Sequence, residues 1–170
     1  MNVFFHVATA VGLTVALTDT NRIKTVKDSV VPACLGFVSG ILVHGIIDYL
    51  PHTYPFSAKS DVVISFLMIA IFLFIAKKKY RLILLSSIIG CIFPDLVDLL
   101  PPMLNKYLGF HIFVTDKVFL WHTPAYSGSI FTGTSIASDI NHIAVLFITI
   151  VVCWCRKADF VDIFGKKSRG

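Results

Sequence analysis

Glutamate is absent from this chain, and all ten acidic residues are aspartate. Charge of either sign is scarce, at 15% of residues, where a soluble domain carries about a quarter. That scarcity excludes a disordered chain, an ordinary soluble enzyme and a module with a solvated basic face for nucleic acid. No basic residue precedes Arg22, so the first apolar run lacks the charged start of a signal peptide and is expected to belong to the fold. Cysteine is limited to Cys34, Cys91, Cys153 and Cys155, all inside apolar runs, which argues against a disulfide framework. Cys153-Trp154-Cys155 reads as buried small hydrophobes rather than a metal pair. There is no internal repeat, phosphate-cradling glycine loop or Ser-His-Asp arrangement.

Apolar residues are what the chain has instead. They make up 56% of its 170 residues, and mean hydropathy is +0.81. A spanning helix needs roughly 20 apolar residues, with ~17 as a working minimum. Five runs approach this: 3–18, 30–50, 62–76, 82–100 and 142–155. The first, third and fifth are short, and Lys77–Lys79 can lengthen the third by snorkelling. The expected fold is therefore all-α and polytopic, a single transmembrane domain over 1–170 with about five spans. An outer loop is expected over 101–141 and a cytoplasmic tail over 156–170.

Lysine and arginine counts in the successive connections run 0, 3, 1, 4, 2, 5. The positive-inside rule then places the N-terminus outside and the C-terminus in the cytoplasm. The net charge of +5 is spread over these short clusters, so it indicates a bilayer partner and no nucleic-acid partner. In the outer loop, the aromatic stretch Leu108–Trp121 is expected to lie at the membrane interface. Ala125–Asn141, rich in Ser, Thr, Gly and Ala, reads as a mobile lid or re-entrant turn.

This topology puts all six histidines on one side, with Asp48, Asp95 and Asp98 at the same level. His44 and Asp48 are spaced i,i+4 and project from one helical face, with His52 just beyond Pro51. Asp95 and Asp98 form an i,i+3 pair after Pro94. An aspartate in mid-membrane costs ~3 kcal/mol on insertion scales, so these residues should face the protein interior and have partners. Imidazoles and carboxylates at one depth make a divalent-metal site. Taken singly, His6 reads as a packed histidine, His111 as a loop residue, and His142 equally as a helix cap or a ligand.

At these residues the chain resembles the membrane-bound metal-dependent hydrolases, the YdjM-like inner-membrane group, which are related in motif to zinc-dependent phospholipase C. The resemblance is carried by His6 in Phe5-His6-Val7-Ala8 and by Gly40-Ile-Leu-Val-His44-Gly-Ile-Ile-Asp48-Tyr-Leu-Pro51-His52. It continues in Gly90-Cys-Ile-Phe-Pro94-Asp95-Leu-Val-Asp98 and Trp121-His122-Thr123-Pro124. In that group the Pro-Asp segment usually precedes the His-x-x-x-Asp helix, and here it follows. The resemblance implies a phosphoester hydrolase using one to three divalent ions, with Zn²⁺ favoured. The expected ligands are His6, His44, Asp48, His52, Asp95, Asp98, His122 and His142, with Asp48 or Asp98 as general base. The substrate implied by the depth of the site is a phospholipid or lipid-linked phosphate. The expected location is a bacterial-type plasma membrane, with the site facing the extracytoplasmic side. A transporter using the His/Asp cluster, or a non-catalytic membrane protein, are the other classes the composition allows.

Overall fold

The computed structural model describes residues 1–114 and 116–165. Its described residues are helical throughout the spans. The elements are α1 (Val3–Leu17), α2 (Val30–Tyr49), α3 (Ala58–Ile75), α4 (Arg81–Asp98), α5 (Leu100–Leu108), α6 (Ile136–Cys155) and α7 (Lys157–Phe164). With their flanking turns, α2, α3, α4 and α6 are long and apolar enough to cross a membrane, and α1 is a shorter apolar helix. The chain is a polytopic helical membrane protein.

The shortness of α1 is explained by its position. It packs against α2, α3, α4 and α6 at the centre of the bundle, and Phe5, Val7, Ala10, Val11 and Val15 are all buried. A helix that is apolar all round belongs inside a protein or a bilayer. By contrast α3 buries only Asp61 and Ser65, and exposes Phe66, Leu67, Ile71 and Phe74. On α6, Ile143, Phe147, Ile150 and Trp154 are likewise exposed. Bare apolar faces of this extent suit lipid, where the backbone groups are already satisfied within each helix.

The closest packing is between α2 and α4, and glycine makes it. A Cβ on Gly40 would lie 2.7 Å from the Cys91 nitrogen and 2.8 Å from the Gly90 carbonyl carbon. A Cβ on Gly90 would run into the backbone of Phe37. Small residues let transmembrane backbones approach this closely, and Gly36-Phe-Val-Ser-Gly40 carries the small-xxx-small spacing.

Several boundaries differ from the sequence expectation. α6 starts at Ile136, six residues before His142, because the Ser135 side chain accepts from Ser138 N–H and caps the helix. His142 is therefore inside the helix rather than at its cap. α3 begins at Ala58, capped by Ser57. Pro101 and Pro102 do not end the helical path. They lie in the first turn of α5, where a missing N–H does no harm, and Gly109, at φ 67°, closes that helix. The stretch expected to be a mobile lid is strapped down. His52 N–H donates to Gly128 O at 2.9 Å, Ile130 N–H to His52 O at 2.8 Å, and Gly128 N–H to Asp48 O at 2.8 Å. Only glycine fits at 128, since any Cβ would collide with the Leu50 carbonyl.

The segment expected to be a tail includes α7, which closes the opposite end of the bundle. Ile163 and Phe164 enter the core beside Ile23, Tyr80 and Ile83. Lys77 Nζ donates to Asp162 at 2.6 Å, and Arg156 donates to the Thr18 carbonyl at 2.8 Å, so the ends of α1, α3 and α6 are tied together. Lys166, Lys167 and Arg169 lie outside the described residues.

Candidate metal centre

Four donors converge where α2 and α4 meet the loop after α5. α2 presents His44 and Asp48, α4 presents Asp95, and the single helical turn Leu120–His122 presents His122. One donor atom from each lies within 4.8 Å of all the others. His44 Nε2 is 3.2 Å from His122 Nε2, 3.4 Å from Asp48 Oδ2 and 3.7 Å from Asp95 Oδ1. His122 Nε2 is 3.5 Å from Asp48 Oδ2 and 3.3 Å from Asp95 Oδ1. Donors about 2.1 Å from a tetrahedral ion stand about 3.4 Å apart, and the five separations that involve a histidine, 3.2–3.7 Å, match that spacing.

The ring tautomers are set from outside the cluster. His44 Nδ1 lies 2.7 Å from the Cys91 carbonyl, which can only accept, so Nδ1 carries the proton. His122 Nδ1 lies 2.9 Å from Asp98 Oδ2, and Asp98 also accepts from Val118 N–H at 2.9 Å and Phe119 N–H at 3.0 Å. In both neutral rings the Nε2 lone pair therefore points into the cluster. This is the arrangement by which a second hydrogen-bonding partner orients a ligating histidine. The glycine contact between α2 and α4 brings the Cys91 carbonyl within reach of His44.

His44 is fully inaccessible, Asp48 and Asp98 are 5% exposed, and Asp95 and His122 are partly buried. Burial opposes protonation of His122, but the carboxylates of Asp48, Asp95 and Asp98 outweigh it and raise its pKa to about 9. Such a field of carboxylates holds either an imidazolium or a metal cation. The described residues thus provide a group able to hold a metal ion.

The remaining expected ligands fall around this group. His6 Nε2 is 3.1 Å from Asp48 Oδ1, on the side away from His122, and its ring stacks on that of His44 at 4.1 Å. Asp98 touches His122 rather than the centre. His52 is anchored through Nδ1 to Leu50 O at 2.8 Å, and its Nε2 faces Ser129 Oγ at 3.1 Å and Tyr54 Oη at 3.3 Å. The α-amino group of Met1 sits between Asp48 Oδ1 (2.5 Å) and His52 Nε2 (2.7 Å). Burial and that neighbouring positive charge lower the His52 pKa to about 4, which keeps the ring neutral. His142 stacks on Phe5 at 4.4 Å, and Ser138 Oγ is 3.5 Å from its Nδ1, so it lies apart from the four. His111 is exposed in the loop.

Sequence reasoning missed Asp61, which is buried and accepts from Val3 N–H at 2.8 Å and Phe4 N–H at 3.0 Å, capping α1 from another helix. Its place at the start of an apolar run was the available signal. Tyr54 and Ser129 were also missed, because hydroxyls in polar loops carry no spacing pattern.

No protein family, curated protein or solved structure matches this chain.

Proposed function

We propose that this chain is an integral-membrane metal-dependent hydrolase of a phosphoester, in which His44, Asp95 and His122 would hold one Zn²⁺ and leave its fourth position to water, with Asp48 beside them as a base rather than a ligand. The observation that carries the reading is the pair of converging Nε2 atoms, each with its Nδ1 tied to a fixed acceptor outside the cluster. The resemblance to the YdjM-like hydrolases supports the same reading. The ion supplies Lewis acidity, polarising a phosphoryl oxygen and acidifying a water molecule.

The protein's own residues do the rest. Asp48 is the general base, since its Oδ1 is turned towards His6 while Oδ2 faces the cluster. His6 Nε2 and the Met1 α-amino group hold Oδ1, which leaves Oδ2 to take a proton from the attacking water. Asp98 acts as a positioning residue, because all its contacts go to His122 and the loop that carries it. The water oxygen bonds to phosphorus, the ester P–O bond breaks, and the leaving oxygen takes the proton held by Asp48 and departs as an alcohol.

A transport pathway would need polar groups through the depth of the bundle. Below the cluster the core is mostly apolar, with Val11, Val15, Leu84 and Ile88, and its buried polar side chains Thr14 and Ser87 carry no charge, which favours the hydrolase reading. The end of the bundle that carries Arg22, Lys24, Lys27, Lys77–Lys79, Arg81, Arg156 and Lys157 is the cytoplasmic one, and the cluster end is extracytoplasmic.

The test uses protein purified without added metal, reconstituted in liposomes and assayed on phospholipid and lipid-linked phosphate panels. Turnover abolished by chelator and restored by Zn²⁺ is expected. Purified protein that neither contains nor takes up a divalent ion overturns the reading.

A further inference from the structure

An apolar groove of about 400 Å³ runs along the outer face of α2, lined by Leu42, Gly45, Ile46, Tyr49, Trp121 and Tyr126. Its walls are next to the candidate metal ligands in sequence three times over. Gly45 follows His44, Tyr49 follows Asp48, and Trp121 precedes His122. The groove and the cluster are thus about a quarter-turn apart on the same helix, at ~100° per residue. A single side chain, Trp121, forms the ridge between them. Its indole lies flat on α2 because position 45 has no side chain: a Cβ there would be 2.7–2.9 Å from the ring. The Trp121 ring is also 6.2 Å from that of His44, centre to centre.

The outer wall of the groove is open to the surroundings of the bundle. Ile46, Tyr49, Leu42 and Tyr126 are all more than half exposed. In a bilayer, this is a surface that acyl chains reach directly. Tyr49, Trp121 and Tyr126 cluster at its end near the loops, as aromatic residues do at the level of lipid headgroups. The cluster lies at the end of α2, so a phosphoester held there projects its apolar remainder back along the membrane. The groove is the adjoining apolar surface at that depth.

We propose that this groove is the acyl-chain subsite of the enzyme, and that the substrate is a membrane lipid which reaches the centre sideways from the leaflet, past Trp121. The inference rests on the hydrolase reading for the word substrate, and on the groove alone for lipid binding. Each methylene transferred from water contributes about 0.8 kcal/mol. A few methylenes seated in the groove therefore suffice for a tenfold preference.

Two measurements test it. Zinc-loaded protein in detergent is assayed on ethyl and dodecyl p-nitrophenyl phosphate. The dodecyl ester should show a KM at least about tenfold lower. The double variant Leu42→Phe, Ile46→Phe, which fills the groove, should lose that advantage while its kcat and its KM for the ethyl ester stay unchanged. Equal KM values for the two esters in the unmodified protein overturn the subsite and leave the hydrolase reading standing. In parallel, Trp154→Phe leaves Trp121 as the only tryptophan. A phospholipid with brominated acyl chains, titrated in detergent, should quench its fluorescence saturably, and the groove-filled form should abolish that saturation. Saturable quenching without hydrolysis of either ester keeps the lipid site and overturns the hydrolase reading. Quenching that never saturates, or that survives groove filling, overturns the lipid site.

Discussion

The Nε2 atoms of His44 and His122 stand 3.2 Å apart, and neither carries a proton when the rings are neutral, because each ring's proton is held at Nδ1 by another group. Two lone pairs at that distance repel unless a cation or an added proton stands between them. The metal-free protein should therefore hold a proton on His122, whose pKa is raised to about 9 from 6.5 by Asp48, Asp95 and Asp98 against the opposing effect of burial. A raised folded-state pKa stabilises fully below the unfolded value and is lost as pH rises through the folded one. Chelated protein should thus lose thermal stability between pH 6.5 and pH 9, and Zn²⁺ should restore it at pH 9. Thermal unfolding across that range, with and without metal, checks the expectation.

Removing the ligand differs from removing its support. His44→Ala deletes one of the three ligands, so purified protein should lose its bound ion, read by elemental analysis. Asp98→Asn keeps all three ligands and weakens the hold on His122 Nδ1. Its metal affinity should fall about tenfold to a hundredfold while the protein still inserts. If Asp98→Asn loses metal as completely as His44→Ala, Asp98 is itself a ligand.

The glycine contact between α2 and α4 should be intolerant of size. Gly40→Val places carbon where the Gly90 and Cys91 backbones already lie. Overpacking of this kind costs about 1–3 kcal/mol, and it moves the Cys91 carbonyl away from His44. A lowered melting temperature together with weakened zinc binding is expected. Gly133→Ala, at a loop glycine with open space around it but φ 85°, should cost stability without touching metal binding.

At the opposite end, α7 is held by charge. The Lys77 ammonium and the Tyr80 hydroxyl hold the Asp162 carboxyl below its ordinary value of 3.8. A depressed folded-state pKa stabilises above the unfolded value, and the stabilisation is lost as pH falls through the folded one. α7 should therefore loosen below about pH 4, with faster amide exchange over 157–164. In Asp162→Asn that acid step should disappear. Both partners are partly exposed, so the loss is on the order of 1 kcal/mol or less.

Orientation is open to labelling. In a background without native cysteines, Ser57→Cys lies at the cluster end and Lys78→Cys at the α7 end. A membrane-impermeant maleimide should reach Ser57→Cys from outside intact cells and leave Lys78→Cys unlabelled. The reverse pattern would place the centre in the cytoplasm.

The helices and the grouping of His44, Asp48 and Asp95 were legible because hydropathy and i,i+4 spacing are local signals. His122 was legible as a candidate, but its Nδ1 partner was not, since a loop some twenty residues away folds back onto Asp98 through backbone contacts that leave no trace in sequence. The retreat of His142 into Phe5 was invisible for a related reason. Its helix begins six residues earlier than the apolar run, because Ser135 caps a stretch that reads as a polar loop. The grip on Ala125–Asn141 also escaped composition, for it depends on the bareness of Gly128 against the Leu50 carbonyl.

Asp61 reaches from α3 to the first N–H groups of α1, and this bears on how the molecule is made. α1 has 15 residues, is shorter than the hydrocarbon layer, and has no acidic residue in its own first turn. Until α3 is made, the start of α1 has no such acceptor to meet, so this cap closes only once both helices are present. Asp61→Asn should therefore leave each helix intact as a segment, yet delay their assembly, visible as prolonged protease sensitivity of the newly made chain.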